Sequence, residues 1–142
     1  MLYNVYRKGV KNMLQLANTT KYENNLYNMH KWIAITFRSK HPDDNSYIFG
    51  DIGEALFFAS IQYAIKQGAT SFADIYRICS TEEYFSIAQE NPNLLLNSDE
   101  FHAQKGLLAD LAIKSENVRG AVFVYVCSML KDLAQVETKY AL

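Results

Sequence analysis

The chain has 142 residues, is 49% hydrophobic and 13% aromatic, and carries a net charge of −1; this composition excludes a disordered chain and suits one domain with its own core. The small net charge conceals a split: residues 1–40 hold seven basic groups against Glu23 alone, a net of +6, while residues 41–142 hold seven basic and fourteen acidic groups, a net of −7. That asymmetry fits a charged partner or head-to-tail association, and equally a solvated basic face packed beside an acidic one.

Six glycines and two prolines are few for an all-β or loop-rich chain, so helices joined by short connections are expected. Residues 2–17 place Leu2, Val5, Tyr6, Val10, Met13, Leu14 and Ala17 on one helical stripe with Arg7, Lys8 and Lys11 opposite. Asn18-Thr19-Thr20 reads as a turn, after which Tyr22, Leu26, Met29, Ile33 and Phe37 alternate steps of four and three through residues 22–38. Residues 1–45 are thus expected to form a basic helical hairpin, closed by the loop HPDDNS at 41–46, where Pro42 disfavours helix at His41.

Residues 46–142 are expected to form the helical core. DIGEALFFASIQYAIKQ at 51–67 is strongly apolar, with Gly68 placed as a C-terminal helix stop. SFADIYRIC at 71–79 reads as a short helix, and Ser80-Thr81-Glu82-Glu83 offers a capping box for the next, which Asn91-Pro92-Asn93 ends. Asn97-Ser98-Asp99-Glu100 is expected to cap a helix carrying Phe101, Leu107, Leu108, Leu111 and Ala112. Last comes SENVRGAVFVYVCSMLKDL at 115–133, with Ser115 as N-cap and Glu116 at the positive end of the helix dipole. Val118, Ala121, Val122, Tyr125, Val126, Met129 and Leu133 form one face, and Phe123, Val124 and Cys127 lie off it, so this helix is expected to be buried nearly all round. The fold class is all-α: a single domain of about seven helices around a buried C-terminal helix.

The Ser-Glu start leading through Arg119-Gly120 into an apolar helix resembles the closing segment of the all-α domain of type IV secretion coupling proteins, the TraG/TraD-type hexameric ATPases. The order from Phe49 to Leu133 resembles the run of helices in that domain: a long apolar helix, a short pair with a Ser/Thr-Glu-Glu start, a polar linker, then the Ser-Glu…Arg-Gly helix. The resemblance covers a little over half of the chain and does not extend clearly to residues 1–45. It implies a non-catalytic domain that recruits effector or DNA-relaxosome cargo to the motor and docks a small secretion adaptor protein. It also implies a homo-hexamer in the parent motor and a cytoplasmic position at the inner face of the bacterial membrane. One departure is that the chain has no GxxxxGK[ST] loop and no apolar strand ending in Asp-Glu. On this reading it is a fragment of an ATPase motor, with which the ending at Tyr140-Ala141-Leu142 is compatible.

Little chemistry is legible. Gly50-Asp51-Ile52-Gly53 lacks the Lys and Ser/Thr that hold phosphate and magnesium, so its glycines read as helix-start residues. His30, His41 and His102 sit on three separate elements without an i, i+4 pair, giving a zinc site no support, and no cofactor is expected. Cys79 and Cys127 stand alone and read as reduced, buried thiols in an intracellular setting; neither a signal peptide nor a transmembrane run is recognised. Residues 71–90 outline a helix-turn-helix, but the second helix, EEYFSIAQE, is acidic and would repel phosphate.

The partner-binding candidates are the basic set Arg7, Lys8, Lys11, Lys31, Arg38 and Lys40, and the acidic set Glu82, Glu83, Asp99 and Glu100. The basic set lies near Tyr3, Tyr6, Tyr22 and Trp32, the mix of charge and rings that binds single-stranded nucleic acid, so a DNA contact is one reading of it. Aromatic residues at helical spacing are more often core, and charge runs more often a solvated face. A stand-alone helical adaptor or secretion chaperone, and a helical nucleic-acid-binding domain, remain open beside the coupling-protein reading.

Overall fold

The computed structural model describes residues 34–38, 46–96 and 101–139, with side chains to residue 135. All regular structure among these residues is helical, and no strand occurs among them. The expected helix at 2–17, the turn at 18–20, most of the helix at 22–38, the loop through residue 45 and the cap at 97–100 lie outside the described residues. Residues 34–38 are helical. A π-helical turn, Tyr47–Ile52, follows and runs directly into α1, Gly53–Lys66. Next come α2, Phe72–Ile78, α3, Glu82–Glu90, and a 3₁₀ turn, Pro92–Leu95. The chain ends with α4, His102–Ala112, and α5, Glu116–Lys139.

Local chemistry sets most of these boundaries. Ser46 Oγ accepts from Phe49 N at 3.0 Å, while Gly50 N and Asp51 N both reach Ser46 O, at 2.8 and 3.3 Å, which is how the first turn widens. Gly68 takes φ +97°, which strains any residue with a Cβ. There Ala69 N donates to Ala64 O and Gly68 N to Ile65 O, both at 3.0 Å, closing α1 in a Schellman turn. Ser71 caps α2 by accepting from Asp74 N at 3.0 Å, and Asp74 in turn accepts from Thr70 N and Thr70 Oγ1. Those bonds from Thr70 hold the Asp74 carboxyl below its usual range.

The capping box expected at residues 80–83 does not form. Thr81 is the cap, accepting from Tyr84 N at 3.3 Å, so the third helical position is Tyr84 and not a glutamate. Ser80 belongs instead to the end of α2, donating from its hydroxyl to Tyr76 O at 2.7 Å. At α5 the expected cap is in place: Ser115 Oγ accepts from Val118 N at 3.3 Å.

The position of the most buried helix also corrects the sequence reading. Burial on every side belongs to α1, where ten of fourteen residues are buried, among them Leu56, Phe57, Phe58 and Ile61 at 0% exposure. In α5, Val122, Val126, Met129, Leu130 and Leu133 are buried, but Ala121, Ser128, Lys131 and Gln135 are exposed and Val124 is 62% exposed. The reason is geometric: at 24 residues α5 is roughly 36 Å long and covers the core from one side. Helix α2 makes its most extensive contact with α5, and α1 meets α2, α4 and α5 as well as both short turns. Phe37 joins the same core, with its ring 5.7 Å from that of Phe57. Gly53 lies inside the continuous helical run from Tyr47 to Lys66, not at a helix start as its sequence suggests, and an added Cβ there would meet the Phe37 ring at 3.3 Å and Tyr125 at 3.6 Å, so this glycine serves close packing.

Tyr47–Lys66 is long and apolar enough by composition to cross a membrane, with a mean hydropathy of 1.2. Because 67% of that window is buried inside the protein, packing of α1 accounts for its hydropathy.

Leu56→Ala is expected to cost about 2–5 kcal/mol in chemical denaturation, and Val124→Ala less than about 0.5 kcal/mol. Equal losses would return the central position to α5.

Candidate functional site

Among the described residues an apolar groove of about 460 Å³ opens on the face where α2, α3 and α5 meet. Its floor is built from the end of α2, with Tyr76 and Cys79, and from Phe123 and Cys127 on α5. The other wall is the start of α3, with Thr81 at the cap, Glu82 at the rim and Phe85 one turn on.

The wall is fixed by the residue next to Phe85. Tyr84 is fully buried, and its hydroxyl pairs with Ser60 Oγ, which itself donates to Leu56 O at 2.6 Å. With the serine hydrogen committed to the carbonyl, Tyr84 is the donor of the first bond. This chain ties the first turn of α3 to the middle of α1. Successive helical residues point about 100° apart, so seating Tyr84 inward turns Phe85 outward, where it is 50% exposed. Phe85 rests edge-on against Phe123, with ring centroids 5.1 Å apart and planes at 87°. Phe123 also meets Tyr84 at 5.8 Å, and Tyr84 meets Tyr63 at 5.7 Å.

The two cysteines at the groove are unpaired thiols, Cys79 buried and Cys127 half-buried. Cys79 Sγ donates to Ser60 O at 3.7 Å. Burial pushes the Cys79 thiol far up and moves Cys127 from an ordinary 9.0 to about 11. Both are protonated at neutral pH, whereas a nucleophile or metal ligand needs the thiolate. No group of three or more His, Cys, Asp or Glu side chains that could hold a metal occurs among the described residues. What the site offers is apolar contact area beside negative charge.

The sequence-derived candidates fall as follows. Glu82 lines the groove and Glu83 is exposed beside it in the first turn of α3. The charge of Glu83, after burial, is the second cause raising the Tyr63 hydroxyl above its usual range. Arg38 is engaged within the chain: its guanidinium meets Asp51 at 2.9 Å and Glu54 at 2.7 Å. Burial opposes the Arg38 charge, but those two carboxylates outweigh it and raise its pKa. His102 is exposed. Arg7, Lys8, Lys11, Lys31, Lys40, Asp99, Glu100, His30 and His41 lie outside the described residues.

The sequence pattern does not single out Phe85, Tyr76 or the convergence of the two cysteines, and it marks Phe123 only as an apolar residue off the main face of the last helix; in EEYFSIAQE the charge is the legible feature. The available signal was the Tyr84-Phe85 pair, since a nine-residue helix with one buried face cannot seat two adjacent rings in the core. No protein-family model, curated protein or solved structure significantly matches the chain.

Two outcomes follow from this geometry. Ser60→Ala leaves the buried Tyr84 hydroxyl without its acceptor and is expected to cost about 1–3 kcal/mol, whereas Tyr84→Phe leaves Ser60 still bonded to Leu56 O and is expected to cost less. A larger loss for Tyr84→Phe in equilibrium unfolding would contradict the donor order. The raised values of Cys79, Cys127 and Tyr84 mean that the folded state holds these groups neutral after the unfolded chain begins to ionise. Their contribution is therefore complete below the ordinary thiol value of 9.0 and is lost as pH rises through about 11 and beyond. The melting temperature is expected to fall from pH 9 to pH 11 in thermal scans, and a flat profile would contradict this.

Proposed function

We propose that the chain is a non-catalytic recognition domain. The observation that carries this reading is the apolar groove, which presents a half-exposed aromatic ring beside two protonated thiols and so favours contact over bond chemistry. The resemblance of residues 49–133 to the all-α domain of type IV coupling ATPases supplies the finer version. On that version the domain recruits effector or relaxosome cargo, docks a small secretion adaptor, and sits in a hexameric motor at the cytoplasmic face of the membrane. The Ser115 cap, and Arg119 whose guanidinium Nη1 donates back to Lys114 O at 2.5 Å, make the Ser-Glu…Arg-Gly segment a helix start, as that resemblance expects.

The test is affinity capture from a lysate of the source cell with the 142-residue chain as bait, at low and moderate salt, read by mass spectrometry. Recovery of a secretion adaptor, effector or relaxosome component is expected at both salt levels. Recovery of nucleic acid alone, weakening steeply with salt and abolished by charge reversal at Lys8, Lys11 and Lys31, would replace this reading with nucleic-acid binding.

A further inference from the structure

We infer that the groove between α2, α3 and α5 receives the apolar face of a basic amphipathic helix from a partner protein, with Glu82 and Glu83 facing the cations along its flank. The inference rests on the reading of the domain as a recognition module and names the partner chemistry of that same site.

The apolar half of the argument is the lining. Phe85, Phe123, Tyr76 and the half-buried Cys127 present apolar surface in a groove of about 460 Å³ that the buried Cys79 also lines; the space is on the order of a small ligand site and opens to solvent, the setting in which helix-in-groove recognition operates. Phe85 sits half-exposed at the edge of this surface, held there by the inward seating of Tyr84, so its exposure is built into the fold. Burying that ring against a partner gains apolar contact with little reordering of α3.

The charged half is the rim. Helix α3 carries Glu82, Glu83 and Glu90 and contains no Lys or Arg. Among the described residues none of these three glutamates forms an ion pair, and Arg77 on neighbouring α2 turns to Asp74 at 3.8 Å. Glu82 at the groove and Glu83 next to it complement cations placed beside an apolar stripe, whereas Glu90 sits at the far end of α3. An anionic lipid surface or a nucleic acid would meet repulsion at this rim. A small uncharged ligand would fill the floor but leave the glutamates unused.

The test is fluorescence anisotropy with the full chain and three labelled synthetic peptides. The first has leucines at i, i+3, i+4 and i+7 with lysines between them. The second replaces lysine by glutamate, and the third has the first peptide's composition in an order that destroys the helical stripe. The first is expected to bind about tenfold more tightly than either comparator, and E82K/E83K and F85A are each expected to weaken it by about tenfold or more. Equal binding of the scrambled peptide would reduce the effect to charge alone and overturn the inference, as would binding unchanged in both variants. Both sites are exposed; circular dichroism and melting temperature verify that each variant is folded.

The same variants used as bait in affinity capture separate the two readings. Capture of a secretion component by wild type and F85A alike, with peptide binding lost in F85A, sinks the groove as the partner site and leaves the recognition reading. Stripe-dependent peptide binding without capture of any secretion component leaves the groove inference and sinks the coupling-protein reading.

Discussion

Enclosure of α1 on every side is the constraint on which the other elements depend. A helix with Leu56, Phe57, Phe58 and Ile61 all removed from solvent needs neighbours around its full circumference. The chain provides them with α2, α4, α5, the two short turns and Phe37. Two glycines make the arrangement possible, Gly53 by letting Phe37 and Tyr125 approach and Gly68 by turning the chain sharply at the helix end. A polar chain inside this apolar shell gives it a register: Tyr84, Ser60 and the Leu56 carbonyl align α3 with α1 through bonds that a shifted packing would break.

The groove is a product of that same register. Helices α2 and α3 are short and meet at the Thr81 cap, so between them they cover the side of α5 only in part. Phe123 and Cys127 are left at the floor of the gap, and Phe85 is turned to its edge because Tyr84 takes the inward position. The exposed ring and the buried hydroxyl are two consequences of one helix orientation. That link connects the recognition surface to the core: a change that loosens Tyr84 moves Phe85.

The all-α class, the Gly68 stop, the Ser115 cap and the end of α3 before Pro92 are legible because each depends on local chemistry: a side-chain oxygen before a helix, a glycine after one, or a proline that cannot continue it. The central position was harder to read. Residues 51–67 and 115–133 are both rich in apolar residues, and residue type alone could not show that Val124 faces solvent while Phe57 and Phe58, on two sides of α1, do not. The cap of α3 falls one position later than the sequence pattern suggests, because Ser80 and Thr81 are equally good caps in sequence and the tertiary seating of Tyr84 decides between them. The groove was not legible, since it joins residues from three helices distant in sequence. Glu82 and Glu83 were visible as an acidic pair; what gives them a context is the ring at Phe85.

The account stands or falls on α1 being the enclosed scaffold, and native-state hydrogen exchange measures this directly. The slowest amides are expected between Phe57 and Ile61, opening only with global unfolding, while amides on the outer face of α5 around Val124 exchange through smaller openings. Slowest exchange within 116–139, with α1 opening locally, would contradict the account and make the C-terminal helix the element on which the domain is built.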